Sequence, residues 1–230
     1  APRQNSDKAA PSQPDDHGDT GASSVPFGES SGPVTAAQAL ALLREGNARW
    51  VSGATLSPNS GSDRRTEVAD KGQPPFATIL TCSDSRLPVE RLFDRGVGDV
   101  FVVRVAGNIA GASEAGTLEY GLGHLHTPLL VVMGHTRCGA VAAAASGAEV
   151  HGNVKSLVDA IAPAVERARR FHPELSGPEL AAAAVKENVW QTVFDLYRAS
   201  PEIRALVGQG KVTVVGAVCD ISTGKVEWMG

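Results

Sequence analysis

Several broad classes are excluded by what this chain lacks. Three cysteines among 230 residues cannot form a disulfide framework, which small secreted scaffolds build from an even and much denser set. Excess charge of one sign is also missing. Lys and Arg number 21 against 25 Asp and Glu, for a net −4, so no basic field exists to hold nucleic acid or an anionic membrane. Long apolar runs are absent too. The longest, Pro128 to Gly134 (PLLVVMG), falls far short of the roughly 20 residues a membrane-spanning helix needs. What is present is a 42% hydrophobic fraction, enough to bury a core and incompatible with a wholly disordered or fibrous chain.

Residues 1–33 differ from everything after them. Nearly half are Pro, Gly or Ser, and only Val25 and Phe27 are large and apolar. The segment is therefore expected to be low in complexity and not to fold by itself. A chain that opens on Ala1 before such a segment fits a cleaved export signal with a tether behind it, and export to the periplasm, cell envelope or medium is favoured over a cytoplasmic location. His17, in DDHGD, reads as a solvated surface residue.

From Thr35 the pattern becomes periodic. Leu40, Leu43, Asn47 and Trp50 mark one face of a helix, with Thr35 as its cap and Gly53 as its stop. A loop rich in Ser, Gly and Asp is expected next. Three runs of strand length follow, FATILT (76–81), VFVVRV (100–105) and LLVVM (129–133). They are nearly continuous in apolar character, as strands covered on both faces of a mostly parallel sheet are. Helices are predicted over 113–126, 139–146, 153–171 and 179–200, with Pro163 as a kink or break in the third. Ser200 reads as a cap before Pro201, and 211–221 and 226–229 read as closing strands across the turn 222–225. The fold class is α/β: one domain over 34–230, a mostly parallel sheet flanked by helices, with an N-terminal helical arm.

Two of the strands run directly into reactive residues. FATILT ends in Cys82-Ser83-Asp84-Ser85-Arg86, and LLVVMG ends in His135-Thr136-Arg137-Cys138-Gly139. Ligands of open parallel sheets bind at the carboxyl ends of the strands, so the two segments can converge. Cys82, His135 and Cys138 offer two thiolates and an imidazole, the donors zinc takes tetrahedrally, and three protein ligands leave one position open for chemistry. Asp84 can bind the metal or accept a proton from solvent held on it, and a bidentate Arg86 would decide between these roles. On spacing alone, a buried structural thiol and an ordinary Asp–Arg loop clamp stay open.

These residues resemble the zinc signature of the β-class carbonic anhydrases: Cys82-Ser83-Asp84-Ser85-Arg86, with His135 following Cys82 by 53 residues and then Cys138. Leu43 to Asn47, Phe101 to Arg104, Ala106-Gly107-Asn108, Gly116 to Tyr120 and Val215 to Ala217 resemble that family as well, so the likeness spans 35–230. It implies one Zn2+ per chain on Cys82, His135 and Cys138, with Asp84 and Arg86 as a catalytic dyad. The implied reaction is reversible hydration of CO2 to bicarbonate and a proton by zinc-bound hydroxide. Asp84 would become a fourth ligand only in a closed state, and Gln73 favours the variant with an open site. Gln73 is implied as a donor to a substrate oxygen. Phe101 and Tyr120 would line the apolar CO2 pocket, which Gly139 leaves clear. Because the family builds that pocket at a subunit interface, a homodimer is implied, with pairing into a homotetramer as the further option. His124 and His126 are candidate proton shuttles, and Cys219 reads as a buried, inert thiol. The alternative reading is a related zinc hydrolase acting on carbonyl sulfide or carbon disulfide.

Overall fold

The computed structural model describes residues 34–229; the expectations for 1–33 lie outside the described residues. Helix α1 (Ala36–Ser52) begins at a capping box in which Thr35 and Gln38 satisfy each other's backbone amides, and it ends on Gly53 at φ 74°, as the sequence predicts. Leu43 and Asn47 are buried on its inner face. At Gly46 the helix lies so close to the backbone of Phe93 that a Cβ there would come within 1.8 Å of the Phe93 carbonyl oxygen. Asn47 then ties α1 to residues far along the chain. Its Nδ2 donates to Leu92 O (3.1 Å) and Gly224 O (2.8 Å), and its Oδ1 accepts from Val226 N (2.9 Å).

The expected Ser/Gly/Asp loop contains a helix, α2 (Ser62–Lys71), which buries none of its side chains. Polar contacts hold it instead. Arg64 donates to Val97 O (3.0 Å) and faces Asp99 at 3.7 Å. The remaining elements are β1 (Ala77–Thr81), a single-turn α3 (Val89–Leu92), β2 (Val100–Arg104), α4 (Ala112–Glu119), β3 (Leu129–His135), α5 (Gly139–Ser146), α6 (Val154–Phe171), α7 (Gly177–Ala199), α8 (Pro201–Gly208), β4 (Thr213–Cys219) and β5 (Val226–Met229). The helix expected over 113–126 stops at Glu119 and passes into a wider π-helical turn over Tyr120–His124. There Gly121 comes so near Thr78 and Phe101 that a Cβ would lie 2.6 Å from the Thr78 hydroxyl. Helix α6 runs through Pro163 without a break; Pro163 is exposed, so the Asp159 carbonyl it leaves without a donor faces water. Ser200 caps α8 as expected, accepting from Ile203 N at 3.0 Å.

The strands form one sheet in the order β2-β1-β3-β4-β5. All neighbours are parallel except the β4–β5 pair, which is antiparallel. β1 and β3 are buried along their whole length, which accounts for their unbroken apolar sequences. β2, by contrast, is an edge strand, and Val100, Phe101 and Val102 are only half-buried. The chain leaves β1 toward β2 on one side and returns to β3 on the other, so the crossovers diverge between β1 and β3. In an open sheet a crevice forms at such a point. No helix among the described residues is long and apolar enough to cross a membrane.

Between α1 and this frame lies Asp94, almost fully buried. It takes an ion pair from Arg49 Nε at 2.5 Å and hydrogen bonds from the amides of Leu56 and Ser57. Burial pushes its carboxyl up, but Arg49 and the two amides outweigh that, and the net shift is downward. A carboxyl depressed in the folded state stabilises the fold above its unfolded pKa of about 3.9 and loses that contribution as pH falls further. Asp94→Asn should therefore cost about 2 kcal/mol at pH 7. In urea titrations the gap between wild type and variant should narrow steadily from pH 5 to pH 3; a gap independent of pH would show that the carboxylate charge is not what matters.

Candidate active site

Cys82 is the first residue after β1, and His135 is the last residue of β3. The parallel register sets Thr81 beside Met133, so the two side chains emerge together at the crevice. Cys138 follows three residues later as the N-cap of α5. The ligand atoms of Cys82, His135 and Cys138 all lie within 4.8 Å of one another, and all three residues are buried. The structure thus brings together the three donors picked out by the sequence.

The state of each donor suits a cation. The His135 Nδ1 is 2.9 Å from the Thr136 carbonyl oxygen, to which it can only donate. That bond fixes the tautomer and leaves Nε2 with a free lone pair. Nε2 is buried and has no hydrogen-bond partner, an unmet demand that a metal ion satisfies. The Cys82 thiol is drawn well below its ordinary value. The leading cause is a hydrogen bond from Cys138, opposed by burial and assisted by the amides of Gly107 and Asp84. Cys138 moves the opposite way, because it donates to Cys82 and is itself buried, although the amides of Val141 and Ala140 at the start of α5 favour its anion. A cation bound between the two sulfurs would release their thiol protons. Cys219 stands apart from this group: it is buried, and burial together with Asp220 pushes its thiol up to about 11, as expected of an inert thiol.

Asp84 and Arg86 form the anticipated pair. Arg86 Nε donates to Asp84 Oδ1 (2.8 Å), its Nη2 to Oδ2 (2.6 Å), and its backbone amide to Oδ1 (3.0 Å). The guanidinium holds the Asp84 carboxyl well below the usual carboxylate range, against a smaller effect of burial. Asp84 Oδ2 lies 3.9 Å from His135 Nε2, which places a fixed acceptor at the rim of the donor set. Arg104 secures the loop beneath, donating from Nε to Cys82 O (3.2 Å) and from Nη2 to Asp84 O (2.6 Å).

The other predicted site residues lie elsewhere in the chain. Gln73 and Tyr120 share a cavity of about 510 Å3 with Arg64, Glu67 and Lys71. Phe101 joins them through Tyr120, with ring centroids 6.0 Å apart, and Tyr120 stacks on His124 at 5.4 Å. Cys138 borders a different and larger cavity, of about 920 Å3, between α5 and α7. Gly139 has open space where a Cβ would stand. Sequence reasoning missed the buried polar group behind the site: Asn108, Asn188 and Thr192, which surround the turn at Gly107. The signal was available, since Asn188 and Thr192 interrupt the otherwise apolar stripe of Ala184, Val185 and Val189 on α7.

Residues 77–226 match the family described as carbonic anhydrase. The chain is 36% identical over 201 residues to the carbonic anhydrase of Mycolicibacterium smegmatis, covering 86% of this chain and 93% of that one. Its fold is similar to the structure of the β-carbonic anhydrase CcaA, with a TM-score of 0.67 and 26% identity over 83% of this chain and 95% of that one. The chain belongs to the β-carbonic anhydrase family. A further structural likeness is to tetrameric β-carbonic anhydrases from Sordaria macrospora, with a TM-score of 0.63 and 26% identity over 72% of this chain and 85% of that one. The fold of a β-carbonic anhydrase is therefore present around the three-donor cluster.

The cluster predicts that one thiophilic divalent cation binds per chain. Cys138→Ser should weaken that binding by at least about 100-fold, as read by chelator competition, whereas Cys219→Ser should leave it unchanged. Equal affinity in the wild type and Cys138→Ser would refute the assignment.

Proposed function

We propose that this chain is a carbonic anhydrase that holds one Zn2+ on Cys82, His135 and Cys138 and catalyses the reversible hydration of CO2. The observation that carries this reading is the free Nε2 of His135, buried among two thiols within 4.8 Å and beside a carboxylate locked by Arg86. Zinc, when bound there, supplies Lewis acidity that lowers the pKa of a coordinated water from 15.7 toward about 7, and two thiolate donors leave it less lowered than three imidazoles would.

The chain's own groups do the rest. Arg86 commits three donors to Asp84, so the carboxylate cannot turn freely. It accepts a hydrogen bond from the attacking water and aims that water's remaining lone pair at the carbon of CO2. A new C–O bond forms, bicarbonate departs, and one proton passes to buffer. The Asp84–Arg86 bond supports an open site, in which Asp84 orients solvent, over one closed by Asp84 as a fourth ligand.

A second copy of the chain completes the substrate pocket. Gln73, Phe101 and Tyr120 gather away from the three donors of their own chain, Tyr120 is 46% exposed, and the half-buried apolar β2 lies open at the sheet edge. An unpaired apolar edge is a surface that association covers. In the homodimer these side chains line the partner's site as the CO2 pocket, and pairing of dimers into a tetramer is compatible with the tetrameric relatives from Sordaria macrospora.

Stopped-flow hydration of CO2 from pH 6.5 to 9, on protein carrying one zinc per chain, should show a rate that rises with pH; no activity at any pH would overturn the proposal. Asp84→Asn should lose at least about 100-fold in rate while its zinc content stays at one per chain. Loss of the metal in that variant would assign Asp84 a ligand role instead.

A further inference from the structure

Behind Cys82 stands a chain of hydrogen bonds that begins on a distant helix. The Gly107 amide donates to the Cys82 sulfur at 3.3 Å. The carbonyl of the same residue accepts from Asn188 Nδ2 of α7 at 2.7 Å. Thr192, one turn further along α7, bonds both the Asn108 carbonyl (3.1 Å) and the Asn188 carbonyl (2.9 Å). Asn188 is 1% exposed and Thr192 2%, so neither has water as an alternative partner.

The turn they grip is an unusual one. Gly107 and the following Asn108 both have positive φ, 72° and 46°. A Cβ at Gly107 would lie 2.6 Å from the Ile161 side chain of α6. Helix α6 thus closes one side of the turn, and α7 fixes its carbonyls. The Gly107 N–H and C=O lie in the two peptide planes that meet at its Cα, so a fixed carbonyl limits how far the turn can rotate and, with it, where the N–H points. Without Asn188 that carbonyl would be buried and unpaired, and the turn would relax to satisfy it.

We propose that Asn188 is a positioning residue for the Cys82 sulfur, acting through Gly107; this rests on the reading of Cys82 as a metal ligand. An N–H aimed at a thiolate withdraws charge from the sulfur and fixes its direction, and outer partners of this kind govern both metal affinity and the electronic character of the ligand. A merely structural asparagine would stabilise the fold and leave the sulfur's electronic character untouched.

The test uses the full chain loaded with Co2+, whose sulfur-to-cobalt charge-transfer absorption reports the electron density on the thiolates. In Asn188→Ser, which breaks the bond without forcing bulk into the core, the band should move to longer wavelength. Affinity for Zn2+ in chelator competition should fall about tenfold. Asn188→Leu should behave alike; if it fails to fold, Asn188→Ser alone decides. An unshifted band in Asn188→Ser overturns the proposal, even if that variant melts at a lower temperature. A wild-type spectrum with no thiolate band, or one that Cys82→Ser leaves unaltered, would instead sink the metal reading itself and the proposal with it.

Discussion

The parallel pairing of β1 with β3 is the constraint on which the rest of the molecule depends. Because the connections from these neighbours diverge, the two segments that emerge at their carboxyl ends face each other across a crevice. Register does the remainder. One residue of slip would turn Cys82 or His135 to the opposite face of the sheet. The slip is prevented by side chains with no chemical role: Thr81 donates across to the Met133 carbonyl at 2.9 Å, and Thr78 meets Thr127 at 2.7 Å. Polar groups buried inside an apolar sheet must find these partners, so they specify a single alignment.

Around this pairing the site is built in layers of increasing distance. The donors sit at strand ends and at the start of α5. Arg104 from β2 clamps the backbone carbonyls of Cys82 and Asp84, and the Gly107 turn bonds the Cys82 sulfur. The turn in turn is held by α6 and α7. Gly134, just before His135, shows how close these layers are, since a Cβ there would lie 3.1 Å from the methyl groups of Val185 and Val189 on α7. A rigid donor set follows from packing on every side, in keeping with the need of catalytic groups to be held in place before the substrate arrives.

Much of this was legible in the sequence, and the exceptions have physical causes. Strands β1 and β3 were legible because burial on both faces demands unbroken apolar runs. The donor trio and the Asp84–Arg86 pair were legible because chemistry fixes their residue types and spacing. Helix α2 escaped notice since Val68 is its only large apolar residue and its anchors are polar contacts of Arg64 with residues 33 and 35 positions away. The π-helical turn at Tyr120 escaped because it answers to a neighbour, the close approach of Gly121 to β1 and β2, and helical periodicity carries no trace of that. Pro163 looked like a break because a sequence does not reveal which carbonyl water can reach. The Asn188 network was overlooked for a related reason: a polar residue on an apolar face is legible as an anomaly, but its partner, 81 positions away, is not.

The anchoring of α1 has a consequence for how the protein comes to exist. Asn47 bonds to Gly224 and Val226, residues 177 and 179 positions further along the chain. During synthesis α1 precedes every other described element; its Asn47 amide can reach Leu92 early, but its other two partners arrive only with β5 and the turn before it. The first described helix and the last described strand close the fold together, and contacts of such long sequence separation form slowly. A nascent chain stalled before β4 and β5 would carry all three donors yet leave Asn47 without its bonds to Gly224 and Val226.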